Sequence, residues 1–161
     1  TVDSGGASSI TFSSIPQTYT HLQIRGIGKD TNAASTITGF TFRINSDSAT
    51  NYSNHELYGN GASAGSWGAA NTAIAIETTP GAGVANVFGA FTIDILDYTN
   101  TNKYKTVRTL GGSNDNSTTN TQQIVMLNSG SWRSTSVITR IDLLPVSGFA
   151  QYSSFALYGV K

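Results

Sequence analysis

The chain contains no cysteine, which excludes a disulfide scaffold, a thiolate zinc site and a thiol nucleophile together. Charge is scarce as well: charged residues make up 11% of the 161 positions, against about 25% in an ordinary soluble chain. Nine Lys plus Arg balance nine Asp plus Glu to a formal net charge of zero. Phosphate-backbone binding is built from many cationic contacts that release counterions, so nucleic acid is not expected as a partner. Nor is a membrane, since no apolar run approaches the ~20 residues of a bilayer span. The longest run, VANVFGAFTIDIL, is interrupted by Asn86, Gly89 and Asp94. The chain opens TVDSGGASS, without an initiator Met, a basic start or an apolar signal core, which leaves room for native residues ahead of Thr1.

Helix signals are missing too. No stretch repeats apolar residues at three and four over several turns, while β-branched, aromatic and Gly residues crowd every segment. The chain therefore reads as all-β: one domain over residues 1–161, a jelly-roll-like antiparallel β-sandwich of about ten strands. Expected strands are 8–13, 20–28, 36–45, 52–59, 72–77, 84–97, 103–111, 122–128, 135–144 and 152–160, each bounded by Gly, Asn, Ser or Pro clusters. Alternation gives the faces. Leu22 and Ile24 oppose Gln23 and Arg25, while Phe40, Phe42 and Ile44 oppose Thr41 and Arg43. In the long central strand Val87, Phe91, Ile93 and Ile95 share one face and Phe88, Asp94 and Tyr98 the other; in the later one Val137, Ile141 and Leu143 turn inward, with Arg140 and Asp142 outward. The segments 60–71 and 111–122, rich in Gly, Ser, Thr and Asn, read as long surface loops.

Catalytic groups are few. A nucleophilic triad has only His21 and His55 to draw on, and neither lies near a G-x-S-x-G elbow. A glycosidase needs two carboxyl groups across roughly 5–9.5 Å, and Asp94 and Asp97 fall on opposite faces of one strand. Asp94 is expected to pair across a hairpin with Lys103 or Lys105. The loops INSDSATN and SNDNSTTN each offer one carboxylate, Asp47 and Asp115, without the spacing of a calcium loop, so Asx-stabilised turns are the default reading. No cofactor and no metal are expected, and the chain is not expected to be an enzyme.

The functional signal is aromatic. Trp67 sits in a Gly- and Ala-rich segment, and Trp132 lies beside Arg133 in SGSWRSTS. Indole faces flanked by amides and hydroxyls hold sugar rings in many sandwiches; equally, such tryptophans plug the open end of a sandwich or meet a neighbouring subunit. Two Leu-Tyr-Gly tripeptides, at 57–59 and 157–159, have different neighbours and are read as separate features. The first leads into the Trp67 segment, so Tyr58 and Asn60 join Trp67, Trp132 and Arg133 as candidate glycan or subunit contacts. The second is apolar on both faces, so that strand is expected to be central or sealed by a neighbouring subunit.

The blocks SSITFSSIPQTYTHLQIRG, NYSNHELYGNG, FGAFTIDILDYTNTNKYKTVRTLGG, SGSWRSTSVITRIDL and QYSSFALYGVK span nearly the whole chain. Together they resemble a family of small virion proteins of tailed bacteriophages. That resemblance implies a jelly-roll-like protein on the virion surface, either a capsid decoration or head-fibre protein, or a tail-fibre tip that binds a host surface glycan. It also implies a homotrimer whose further partners are other virion proteins. It carries over no catalytic residue, and a glycan depolymerase stands as the enzymatic alternative.

Overall fold

Alternating apolar residues become buried strand faces in the computed structural model, which describes residues 1–35, 37–83, 85–114 and 123–161, with the backbone alone at 77 and 78. Among these residues the chain forms β1 (Ile10–Phe12), β2 (His21–Gly28), β3 (Ile37–Ile44), β4 (Tyr52–Gly59), β5 (Ala64–Asn71) and β6 (Ile74–Pro80). It continues through β7 (Gly89–Leu96), β8 (Lys105–Ser113), β9 (Ile124–Trp132), β10 (Ile141–Pro145) and β11 (Ser154–Val160). Two antiparallel sheets result, a four-stranded one in the order β1-β10-β3-β6 and a seven-stranded one in the order β11-β2-β7-β8-β9-β4-β5.

This is a widened jelly roll. An eight-stranded jelly roll pairs its first, last, third and sixth strands against its second, seventh, fourth and fifth. Here the meander β7-β8-β9 takes the place of the seventh strand, and β11 is added beyond β2. Three strands keep the direction that one would have had, so β7 stays antiparallel to β2 and β9 to β4.

The two sheets share one core. Leu22, Ile24, Phe40, Phe42, Ile44, Ile93 and Ile95 are buried as their alternation requires. Phe40 and Phe91 pack with ring centroids 4.8 Å apart, and Phe149 and Phe155 at 4.6 Å, so aromatic rings fill the end of the sandwich near β11. Gly26 makes room for this packing, since a Cβ there would lie 2.3 Å from the Phe91 ring.

Several expectations are corrected. Residues 64–71, read as loop, form a full strand whose eight positions pair in unbroken register with β4. Trp132, expected just ahead of a strand, ends β9. The strand expected over 135–144 begins only at Ile141, because the side-chain oxygen of Asn45 takes the N–H groups of Thr139 and Arg140 and the Ile138 N–H goes to the Tyr98 carbonyl. Ile138 therefore faces the core instead of Val137, and Asp142 is buried against Arg140 and Thr11. Of the two expectations for the terminal strand, the central position is excluded: β11 is an edge strand, with Phe155 and Leu157 against the core and Tyr158 and Val160 exposed. Asp94 lies opposite Arg108 and accepts from Gln23, whereas Lys103 pairs with Asp97. Lys105 is fully buried, its ammonium donating to the carbonyls of Asn100, Lys103 and Thr135.

Candidate functional site

The tryptophans have different fates. Trp132 is 3% exposed and its indole N–H donates to Asp47 Oδ2 at 2.7 Å, which makes it a plug at one end of the sandwich. That hydrogen bond, followed by one from Asn51, holds the Asp47 carboxyl below the usual carboxylate range. The Asp47 oxygens are thus committed to Trp132, Asn51 and the Ala49 N–H, the Asx turn expected of this loop. Beside them the Tyr52 hydroxyl, fully buried, accepts from the Ile44 N–H at 3.0 Å and lies 3.1 Å from the Ile44 and Asp47 carbonyls. Burial pushes its phenol up to about 12. Arg133 braces the same loop, donating from Nη2 to the Thr50 carbonyl and from its backbone N–H to the Asn51 carbonyl. The second oxygen-rich loop, with Asp115, lies outside the described residues.

Trp67 is 45% exposed on β5, opposite Glu56 of β4. Tyr58 stays on the same hairpin, half-buried, with its ring over Gly65, where a Cβ would lie 2.6 Å from it. Asn60 shapes the turn, its Oδ1 accepting the N–H groups of Ala62 and Ser63. The structure therefore groups Trp67, Tyr58 and Asn60 on the β4–β5 hairpin. Trp132 and Arg133 stand apart from them at the Asp47 loop. A platform of two indoles is not formed.

A contiguous exposed apolar surface lies elsewhere, on the outer face of the seven-stranded sheet. Leu57, Leu127 and Leu110 lie directly opposite one another on β4, β9 and β8 and are 62%, 46% and 58% exposed. Directly opposed residues place their Cβ atoms about 4.5–5.5 Å apart, so the three side chains form one row. Val125, next along β9, extends it. Two hollows meet at Leu127. One, of about 600 Å³, has His55, Leu57, Ser66 and Ser129 in its wall. The other, of about 440 Å³, has Thr92, Asp94, Arg108 and Leu110. Next to the leucines runs a polar belt in which Arg25 Nε donates to Gln23 and Gln23 donates to Asp94, each at 2.8 Å. Arg25 also lies over the Tyr158 ring at 5.6 Å.

The leucine row was readable in principle from IVML at 124–127, where apolar residues occupy both parities of one strand. Such a run marks a strand with two apolar faces, and only the pairing order shows that one of them is left open. Among the described residues no group of three or more His, Asp or Glu side chains is arranged to hold a metal ion. No protein-family model, no curated protein and no solved structure matches the chain.

Proposed function

We propose that the chain is a structural protein of a bacteriophage particle, a capsid decoration or head-fibre subunit on the virion surface that works by protein contact rather than by chemistry. The row Leu57–Leu127–Leu110 carries this reading. An antiparallel sheet with one packed face ordinarily shows water a polar face, and a contiguous exposed apolar patch rimmed by polar groups marks an interaction surface. The virion placement is supported by the sequence blocks that resemble phage virion proteins. The test is a reconstruction of virions assembled with the wild-type chain or with Leu57→Ser/Leu127→Ser. Density for the wild type and its loss in the variant are expected. Purified virions lacking the chain, or full incorporation of the variant, would remove the reading.

A second reading, a tail-fibre tip that binds a host surface glycan, is favoured by the half-exposed Trp67 indole, which shares one face of the β4–β5 hairpin with Tyr58. A glycan array probed with wild type and Trp67→Ala decides it. Binding that depends on Trp67 supports the reading, and no binding by the wild type ends it.

A further inference from the structure

β5 is paired on one side only. It ends the seven-stranded sheet, and among the described residues no backbone group outside β4 hydrogen-bonds to it. The N–H and C=O groups of alternate residues along it therefore point away from the molecule, a ready template for another extended strand. Natural edges are blunted by charge, proline, a bulge or short length. The sequence AGSWGAAN has no charge and no proline, its register with β4 has no shift, and it runs for eight residues. The edges of the four-stranded sheet are protected: β1 has three residues, and β6 ends at Pro80 with a register shift against β3. The far edge of the seven-stranded sheet, β11, is also uncharged and in unbroken register with β2, but it carries the exposed bulky side chains Tyr158 and Val160, and Val2 is bonded to Ser153 and Tyr152 beside its start.

We propose that β5 is a homotypic edge, where two copies of the chain pair β5 to β5 antiparallel about a two-fold axis and merge their seven-stranded sheets into one. Strand direction favours this over head-to-tail joining. Seven alternating strands leave β5 and β11 running the same way, so joining one copy's β5 to the next copy's β11 pairs them parallel, whereas a two-fold gives the better-bonded antiparallel ladder. Charge favours it too. Near a two-fold axis each residue meets itself or a close neighbour, which any charged edge resists and an uncharged one accepts. Shape completes the case, because Trp67 is the one bulky side chain on β5 and its neighbours on the same face are Gly65 and Ala69. A register one pair to either side of Trp67 against Trp67 sets each indole opposite a small residue of the other copy. This contact does not depend on where the chain is placed in a virion.

Analytical ultracentrifugation tests it. The wild type should sediment at about twice the 16.9 kDa of one chain. Ser66→Lys/Ala70→Lys, both exposed positions, should weaken association by about tenfold or more while leaving the circular dichroism of the folded chain unchanged, by setting like charges against each other. Mixing that variant with Ser66→Glu/Ala70→Glu should restore the dimer. A wild-type monomer or trimer, a lysine variant of unchanged mass, or a mixture that stays monomeric would each overturn the pairing. A trimer would do so while leaving the virion reading intact, and absence from virions would leave a measured dimer standing. Should the lysine variant fail to fold, hydrogen exchange of the wild type decides: the outward-pointing amides of β5, those not bonded to β4, protected at about 100 µM and unprotected at about 0.1 µM support the pairing, and concentration-independent exchange of these amides refutes it.

Discussion

Replacing Asp47 with alanine should loosen one end of the sandwich by a predictable amount. The side chain accepts three hydrogen bonds, from the Trp132 indole at 2.7 Å, the Asn51 amide at 3.0 Å and the Ala49 N–H at 2.9 Å. The first matters most, because Trp132 is buried and its N–H has nowhere else to go. A hydrogen bond to a charged group contributes about 1.5–3 kcal/mol, and an abandoned buried donor costs about as much, so Asp47→Ala should lose about 2–4 kcal/mol. In a domain of this size that lowers Tm by on the order of 5–15 °C. Asp47→Asn keeps an acceptor without the charge and should lose about half as much. The pH dependence follows from the depressed carboxyl. Its contribution is complete above the ordinary carboxylate value of 3.8 and disappears as pH falls through the lower folded value. The gap between wild type and Asp47→Asn should therefore be widest near neutrality and close in acid. Urea unfolding followed by fluorescence in a Trp67→Phe background reports on Trp132 alone. A cost below about 0.5 kcal/mol for Asp47→Ala, within the scatter of surface substitutions, or a gap that does not change with pH, would refute the account.

Three further outcomes are expected. Tyr52→Phe strands the Ile44 N–H and should cost about 1–3 kcal/mol by chemical denaturation; in the wild type the contribution is complete below pH 10, the ordinary phenol value, and is lost as pH rises through about 12, which ultraviolet titration of tyrosinate can follow. Gly26→Ala forces a methyl into the Phe91 ring, itself packed on Phe40 and Phe155, and should cost about 1–3 kcal/mol in the same assay, with no loss counting against the packing. Lys105→Met leaves the carbonyls of Asn100, Lys103 and Thr135 without their shared donor and should lower Tm, whereas Lys103→Met, at an exposed ion pair, should leave it nearly unchanged.

Strands that carry their own signal were legible in the sequence. β2, β3 and β7 alternate apolar and polar residues, and a period of two survives whatever they pair with. β5 was not legible, because Ala, Gly and Ser have no strand preference and the segment is a strand only by virtue of the ladder that β4 offers it. The same dependence on the partner hid the edge position of β11 and the exposure of the leucine row, since sequence gives parity and not neighbours. Trp132 and Trp67 looked alike in small-residue contexts. Their difference lies in Asp47, a residue 85 positions away from Trp132 whose carboxylate gives that indole a buried partner.

The absence of cysteine makes the molecule easy to orient. Six interstrand steps of about 4.8 Å, roughly 29 Å in all, separate β11 from β5. Tyr158 stands exposed on the first of these edge strands and Trp67 on the second. Tyr158→Cys would place the one thiol of the chain on β11, so maleimide coupling to a bead or sensor chip would fix the protein by that edge and present the Trp67 hairpin to the solution.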